Sequence, residues 1–151
     1  MTEDQVLKPI LRAALPGDIP AMCDLFLPES ARSADREKKA EELRPLLGPS
    51  DSSALFVAVQ DGHVRGLCSI QTVISAAEGG PAGIVENLIV HPDHQGQGIG
   101  GSLLGSVMTW CTKQGITRMQ LPACRDNVPA LQVYFSRGWT GTGSIRLKNG
   151  F

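Results

Sequence analysis

Hydrophobic and polar positions alternate along this chain with two different periods, and the changes of period predict an α/β fold. Apolar residues recur at every second position in strand-like segments and at every third or fourth position in helix-like ones. The predicted order is strand, two helices, three strands, helix, strand, helix and strand. The predicted strands are residues 7–14, 55–60, 64–73, 83–90, 118–123 and 144–148. Four helices are predicted: one after Gly17, one over 35–47, one after the glycine-rich segment 95–101 and one over 128–137.

Turn residues mark where several of these segments begin and end. Asp18 is a candidate N-cap with Pro20 in the first helical turn, and Pro28 ends that helix. Asp61 and Gly62 lie between two strand-like runs and predict a two-residue hairpin turn. The first helix and this hairpin are therefore bounded by turn residues as well as by periodicity.

Composition favours a single domain over residues 1–151. Hydrophobic residues make up 42% and charged residues 19%, which is typical neither of a disordered chain nor of a membrane protein. No apolar run approaches the ~20 residues that cross a bilayer, and the acidic start Met1-Thr2-Glu3-Asp4 is unlike a signal peptide. The net charge of −1 argues against nucleic acid as the main partner. We expect a cytoplasmic protein that binds neither membrane nor nucleic acid.

Four cysteines lie at positions 23, 68, 111 and 124, and no two of them form a C-x-x-C pair. Scattered cysteines in a cytosolic chain are typical of reduced thiols that pack as small hydrophobic residues. We therefore expect no disulfide framework and no metal site.

The segment from Gln95 to Gly101 lies between a strand-like and a helix-like run. A glycine-rich turn that opens a helix directs backbone N–H groups and the positive end of the helix dipole at one point, which suits a pyrophosphate. A P-loop is excluded because Gly101 is followed by Ser102 and Leu103, without the lysine that reaches the phosphates. The glycines also spell G-x-G-x-x-G, but strand 118–123 lacks the acidic residue that a dinucleotide fold places on the ribose. A Rossmann site is therefore the weaker alternative.

A third pattern fits this segment. Gln95-x-x-Gly98-x-Gly100 resembles the Q/R-x-x-G-x-G/A motif of the GNAT superfamily, the acetyl-CoA-dependent N-acetyltransferases. Three further parts resemble the family in the same order along the chain. Residues 10–20 resemble its first strand and helix, and residues 86–92 resemble its fourth strand. The family's second motif, N-x-x-A-x-x-x-Y-x-x-x-G-F, is matched by Asn127, Ala130, Tyr134, Gly138 and Trp139, with Trp in the usual Phe place. The resemblance implies the GNAT fold, a mixed, mostly antiparallel sheet of about six to seven strands flanked by about four helices.

The resemblance implies a coenzyme A site built mainly from main-chain groups. Only glycine lets the backbone of the loop approach a pyrophosphate closely. In the family the pantetheine arm lies along the fourth strand, and by position the N–H that polarises the acetyl oxygen belongs to Leu88, with Val90 holding the arm. The implied cofactor contacts are Leu88, Ile89, Val90, Gln95, Gly96, Gln97, Gly98, Ile99, Gly100, Gly101 and Asn127.

Glu86 is the candidate general base. Strict alternation places it on one strand face with Ile84, Leu88 and Val90. Apolar neighbours raise the pKa of a carboxyl, which suits it to take a proton from an ammonium. The alternative is that Glu86 pairs with an arginine such as Arg65 or Arg125 and only orders the sheet.

Tyr134 is the candidate general acid. The resemblance implies that its hydroxyl protonates the departing thiolate of coenzyme A. The alternative is core packing beside Leu131 and Phe135 on the same helix. Asn127 either contacts the pantetheine or caps the helix that follows it.

We therefore predict an N-acetyltransferase that moves an acetyl group from acetyl-CoA to a primary amine of a small molecule or peptide by direct attack. One alternative is a coenzyme A-binding sensor or assembly domain without catalysis, and another is a nicotinamide or flavin enzyme. The resemblance also implies a homodimer as an assembly to test. The sequence does not name the acceptor amine.

Overall fold

The computed structural model describes residues 7–145 and 147–150. Contacts within the chain divide it into two compact units, the first ending at Gln120 and the second beginning at Leu121.

The first unit is built on a five-stranded sheet in the order β1-β2-β3-β4-β5. Its first four strands pair antiparallel, and β5 pairs parallel to β4, so the sheet is mixed. The strands are β1 Ile10–Ala13, β2 Ser53–Gln60, β3 His63–Ser75, β4 Gly80–Val90 and β5 Met119–Gln120.

Helices cover both faces of this sheet. They are α1 Ile19–Phe26, α2 Ser33–Leu43 and α3 Ile99–Lys113. Leu67 on β3 packs with α1 and α2, whereas a Cβ on its neighbour Gly66 would meet Leu103 and Ile99 of α3. Because successive strand residues face opposite sides, α1 and α2 lie on one face and α3 on the other. The core beneath α1 and α2 consists of Ala14, Ile19, Met22, Cys23, Leu43, Leu55, Val57 and Leu67.

The start of α1 is fixed by a buried carboxylate rather than by a helix cap. Asp18 occupies the N-cap position, but its side chain makes no cap hydrogen bond to the helix. It accepts hydrogen bonds from the Arg12 guanidinium at 2.6 and 2.9 Å and from the Leu15 N–H at 2.8 Å. The sequence prediction of the helix start is confirmed, and the stabilising contact runs back to β1.

The predicted hairpin between β2 and β3 is confirmed. Asp61 and Gly62 both adopt positive φ, 53° and 75°. Two central residues with positive φ form the tight turn whose twist matches that of the flanking strands.

The second unit contains one helix, α4 Val128–Ser136, within its described residues. Asn127 caps it, because its side-chain oxygen accepts from the Ala130 N–H at 3.3 Å. Gly138 follows the helix with φ of 90°, a conformation that favours glycine.

The α/β class and the element order are confirmed from the first strand to the fourth helix, and the strand count is lower than predicted. Strand 118–123 shrinks to Met119–Gln120, and the described residues of 144–148 lie in no strand. Ile145 is 72% exposed there. A strand needs a paired neighbour to satisfy its backbone, and alternation in the sequence does not supply one.

Three of the four cysteines pack in the interior as predicted, and Cys124 is exposed. All four are free thiols, and Cys23, Cys68 and Cys111 are buried. Burial raises the pKa of the Cys68 thiol to about 12 and that of Cys111 to about 11, which keeps both protonated and unreactive. The described residues include no cluster of metal-ligating side chains and no helix long and apolar enough to cross a bilayer.

Candidate functional site

The glycine-rich loop between β4 and α3 has the backbone conformation that only glycine adopts readily. Gly96 and Gly98 have φ of 79° and 83°. Gly98 is the N-cap residue of α3 and carries no side chain to satisfy the helix end. The loop residues from 95 to 98 are exposed. The sequence therefore keeps the N-terminus of α3 open to solvent.

Three main-chain donors point out of this helix end. The Ser102 N–H donates to the Gly98 carbonyl at 3.1 Å and makes the first hydrogen bond of α3. The N–H groups of Ile99, Gly100 and Gly101 therefore have no acceptor within the helix. They lie at the positive end of the dipole of a 15-residue helix. This donor set fits a pyrophosphate.

The outer edge of β4 carries a second row of main-chain groups, which no strand of the described residues pairs beyond Ile84. The His91 N–H donates to the Arg65 carbonyl at 2.7 Å, so His91 faces β3. In an antiparallel ladder this direction alternates, so the N–H and C=O of Leu88 and Val90 face away from β3, and those of Ile89 face towards it. On the outer side, β5 pairs only with Gly83 and Ile84. The edge beside Leu88 and Val90 is therefore free of β5.

Gln95 links this edge to the glycine loop. Its side-chain Nε2 donates to the Val90 carbonyl at 3.2 Å. The predicted contact of Gln95 with pyrophosphate oxygens stays a prediction. For Nε2 to donate to a pyrophosphate oxygen, it must give up its hydrogen bond to the Val90 carbonyl.

Strand β4 contains a bulge next to this edge. Ser69 pairs with Asn87, and the following residue Ile70 pairs with Val85. Glu86 therefore has no partner on β3 and is the extra residue of the bulge.

The bulge corrects the predicted surroundings of Glu86. Leu88 and Val90 pair with Cys68 and Gly66 on the α3 face. Glu86 follows Val85, which pairs with Ile70 on that same face, so the Glu86 side chain points to the opposite face. Glu86 is exposed. Ile84 pairs with Gln71 on the face of Ser69, so the predicted shared face with Ile84 is kept. The prediction that Glu86 shares this face with Leu88 and Val90 is wrong, because one extra residue reverses the alternation beyond it.

Sequence comparison places the chain in a known family. The model of the acetyltransferase (GNAT) family matches residues 19–139. The chain belongs to the GNAT acetyltransferase family. Members of this family use acetyl-CoA, and the open helix end and the free strand edge are the groups of this chain that fit it.

Two curated GNAT relatives are similar to it over most of its length. An aminoglycoside N(6')-acetyltransferase type 1 of Stenotrophomonas maltophilia is 26% identical over 140 residues, which is 91% of this chain and 90% of the relative. A mycothiol acetyltransferase of Nocardiopsis dassonvillei is 38% identical over 125 residues. That alignment covers 80% of this chain but only 35% of the relative.

The fold is also that of solved GNAT structures. The aminoglycoside acetyltransferase AAC(6')-Iy, solved with a bisubstrate analogue, superposes with a TM-score of 0.76 at 18% identity. The superposition covers 96% of this chain and 99% of the other. At this identity the similarity shows the fold alone.

The remaining predicted residues of this GNAT chain lie in two different units. In the first unit, no described basic side chain forms an ion pair with Glu86, so the alternative pairing with Arg65 is not seen. In the second unit, Tyr134 is half-buried on α4, Leu131 is half-buried and Phe135 is 55% exposed. Asn127 performs the capping role that was its structural alternative. The catalytic roles and the cofactor contact of Asn127 stay predictions.

Sequence reasoning missed the pair Ser69 and Asn87. The Asn87 Nδ2 donates to the Ser69 Oγ at 3.0 Å, directly beside the bulge. Ser69 is 3% exposed, and a buried serine in a strand is a weak signal of a polar contact. Its partner is fixed by the register between β3 and β4, which the sequence does not state.

Proposed function

We propose that this GNAT chain transfers an acetyl group from acetyl-CoA to a primary amine of a small molecule or peptide by direct attack. The observation that carries the proposal is the uncapped N-terminus of α3 beside the free edge of β4. One feature supplies donors for a pyrophosphate, and the other supplies donors and acceptors for an amide-containing arm. The relatives named for aminoglycoside and mycothiol acetylation support an amine-bearing small molecule as acceptor.

Each residue then has a defined task. Acetyl-CoA supplies an activated thioester. The Leu88 N–H at the free edge donates to the acetyl oxygen, where negative charge develops as the amine attacks. Glu86 takes the proton that the amine loses, directly or through water, and the Tyr134 hydroxyl gives a proton to the sulfur as the C–S bond breaks. A C–N bond replaces the C–S bond, and free thiol is released.

Isothermal titration of the purified chain with acetyl-CoA tests the binding site, with NAD as the control ligand. Alanine at Gly98 requires a left-handed backbone that costs about 1–2 kcal/mol and shifts the loop, so we expect Gly98→Ala to weaken acetyl-CoA binding about tenfold. Gly105→Ala is the matched control, because a Cβ there meets nothing within 4 Å and the residue lies well inside α3.

The outcomes separate the candidate functions. Acetyl-CoA binding that is weakened in Gly98→Ala and kept in Gly105→Ala supports the site. Absence of binding by the unmodified chain, or preference for NAD, contradicts it. A screen of primary amines with detection of released thiol then tests catalysis, and binding without thiol release from any amine would support the non-catalytic alternative.

A further inference from the structure

The bulge in β4 brings two consecutive polar side chains to one face of the sheet. Asn87 pairs with Ser69, two residues from Leu67, which packs beneath α1 and α2. Glu86 precedes Asn87 and, as the extra residue, is directed to the same face. Without the bulge the two side chains would point in opposite directions. The next residue, Leu88, offers its N–H at the free edge.

The Asn87 amide is held by a hydrogen bond to the opposite strand. Its Nδ2 donates to the Ser69 Oγ at 3.0 Å, and Ser69 is almost fully buried. No donor among the described residues contacts the Asn87 Oδ1, and the side chain is half-buried. An amide whose nitrogen is held in this way presents its oxygen, a hydrogen-bond acceptor, to the remaining space.

We propose that Asn87 and Glu86 together bind the acceptor as an ammonium, with Ser69 as the positioning residue that keeps the Asn87 oxygen turned towards it. This inference rests on the proposed function and adds a residue that selects a cationic acceptor. An ammonium has three donors and no acceptor, so it matches a carboxylate beside an amide oxygen and would be repelled by an amide NH₂. Asn87 stays neutral when Glu86 takes a proton, so it holds the nitrogen in place during that transfer.

A pair of coenzyme A thioethers tests the proposal without a known acceptor. S-(2-aminoethyl)-CoA carries an ammonium just beyond the sulfur, close to where the acceptor nitrogen attacks. S-propyl-CoA has the same length without charge. We expect the unmodified chain to bind the aminoethyl compound about tenfold more tightly by isothermal titration, as for a charge-assisted hydrogen-bond pair.

Three variants assign this preference to the proposed residues. Asn87→Leu removes the amide at similar volume and should reduce the preference about fivefold, and Ser69→Ala should reduce it about twofold because the amide is freed to turn. Gln71→Leu is the matched control, since Gln71 lies two residues from Ser69 on β3 and is exposed. It should keep the full preference. Unmodified coenzyme A should bind all four proteins equally, which shows that the variants are folded.

The results overturn the inference if the unmodified chain binds both thioethers equally, or if Asn87→Leu keeps the preference. If coenzyme A itself does not bind the unmodified chain, the proposed function fails first and this inference fails with it. Binding of coenzyme A without an ammonium preference removes the ammonium site of Glu86, Asn87 and Ser69 and leaves the proposed acetyl-CoA site in place.

Discussion

At the scale of single residues, Asp18 makes a largely buried polar contact between β1 and α1. Its carboxylate accepts two hydrogen bonds from Arg12 and one from the Leu15 N–H, and its side chain is 10% exposed. The Arg12 hydrogen bonds hold the pKa of the Asp18 carboxyl below its ordinary value of 3.8, and burial opposes this in part. The ionised form therefore stabilises the junction of β1 and α1.

Asp18→Asn should lower the free energy of unfolding at neutral pH by about 1–2 kcal/mol, a value reduced because Arg12 is partly exposed. A carboxyl with a lowered pKa stabilises the folded chain above its unfolded pKa, and this stabilisation is lost as the pH falls through the folded pKa. The difference between the two proteins should therefore be full at pH 7 and shrink below about pH 4. Urea unfolding at several pH values measures it.

Asp35→Asn is the control for this comparison. Asp35 pairs with Arg32 at 3.0 Å, but both side chains are exposed, so solvent screens the pair. We expect a much smaller loss of stability. A loss in Asp18→Asn that is equal at pH 7 and pH 3 would contradict the role of the ionised carboxylate.

At the scale of elements, the close packing of α3 on β3 places the candidate site. A Cβ at Gly66 would lie 3.0 Å from the Ile89 carbonyl oxygen and 3.1 and 3.3 Å from carbons of Leu103 and Ile99. The absence of a side chain at Gly66 thus lets α3 approach the sheet. Ile99 is the first residue of α3, so this packing also sets the position of the helix N-terminus.

Gly66→Ala should lower the free energy of unfolding by about 1–3 kcal/mol, since the added methyl meets a main-chain oxygen that cannot rotate away. It should also weaken acetyl-CoA binding, because the start of α3 is displaced. Urea unfolding and isothermal titration measure the two effects. Gly105→Ala, on the same helix, should keep binding and raise stability by about 0.5–1 kcal/mol. Unchanged stability in Gly66→Ala would show that α3 is not held by this contact.

At the scale of the whole molecule, the proposed acid and base come from different parts of the chain. Glu86 belongs to the first unit and Tyr134 to the second. The family match at residues 19–139 spans both. The single-domain organisation, the homodimer and the cytoplasmic location stay predictions.

Glu86→Gln and Tyr134→Phe should each lower kcat by about ten- to a hundredfold. This loss is at or below the lower end of the effect that general acid–base catalysis usually has. Both changes conserve shape, so acetyl-CoA affinity should be nearly unchanged. Thiol release at saturating acetyl-CoA, with an amine found in the screen, measures kcat, and isothermal titration measures affinity. Wild-type rates in both variants would contradict the catalytic roles even if acetyl transfer is real.

The sequence by itself determined the features that depend on neighbouring residues. Periodicity predicted nine elements in the correct order, and Asp61-Gly62 predicted the hairpin, because helices, strands and tight turns depend on local spacing and on φ. The glycine pattern from Gln95 to Gly101 predicted the turn that opens α3 for the same reason. The spacing of the motifs along the chain was enough to indicate the GNAT family.

Only the tertiary structure decided the features that depend on pairing between distant segments. The bulge at Glu86 exists because Ser69 pairs with Asn87 while Ile70 pairs with Val85, a register that alternation within β4 cannot reveal. That register reversed the predicted face of Glu86 relative to Leu88 and joined Asn87 to Ser69. The short β5 and the described residues of 144–148, which lie in no strand, have the same physical cause, because a strand is defined by the hydrogen bonds of its neighbours as much as by its own residues.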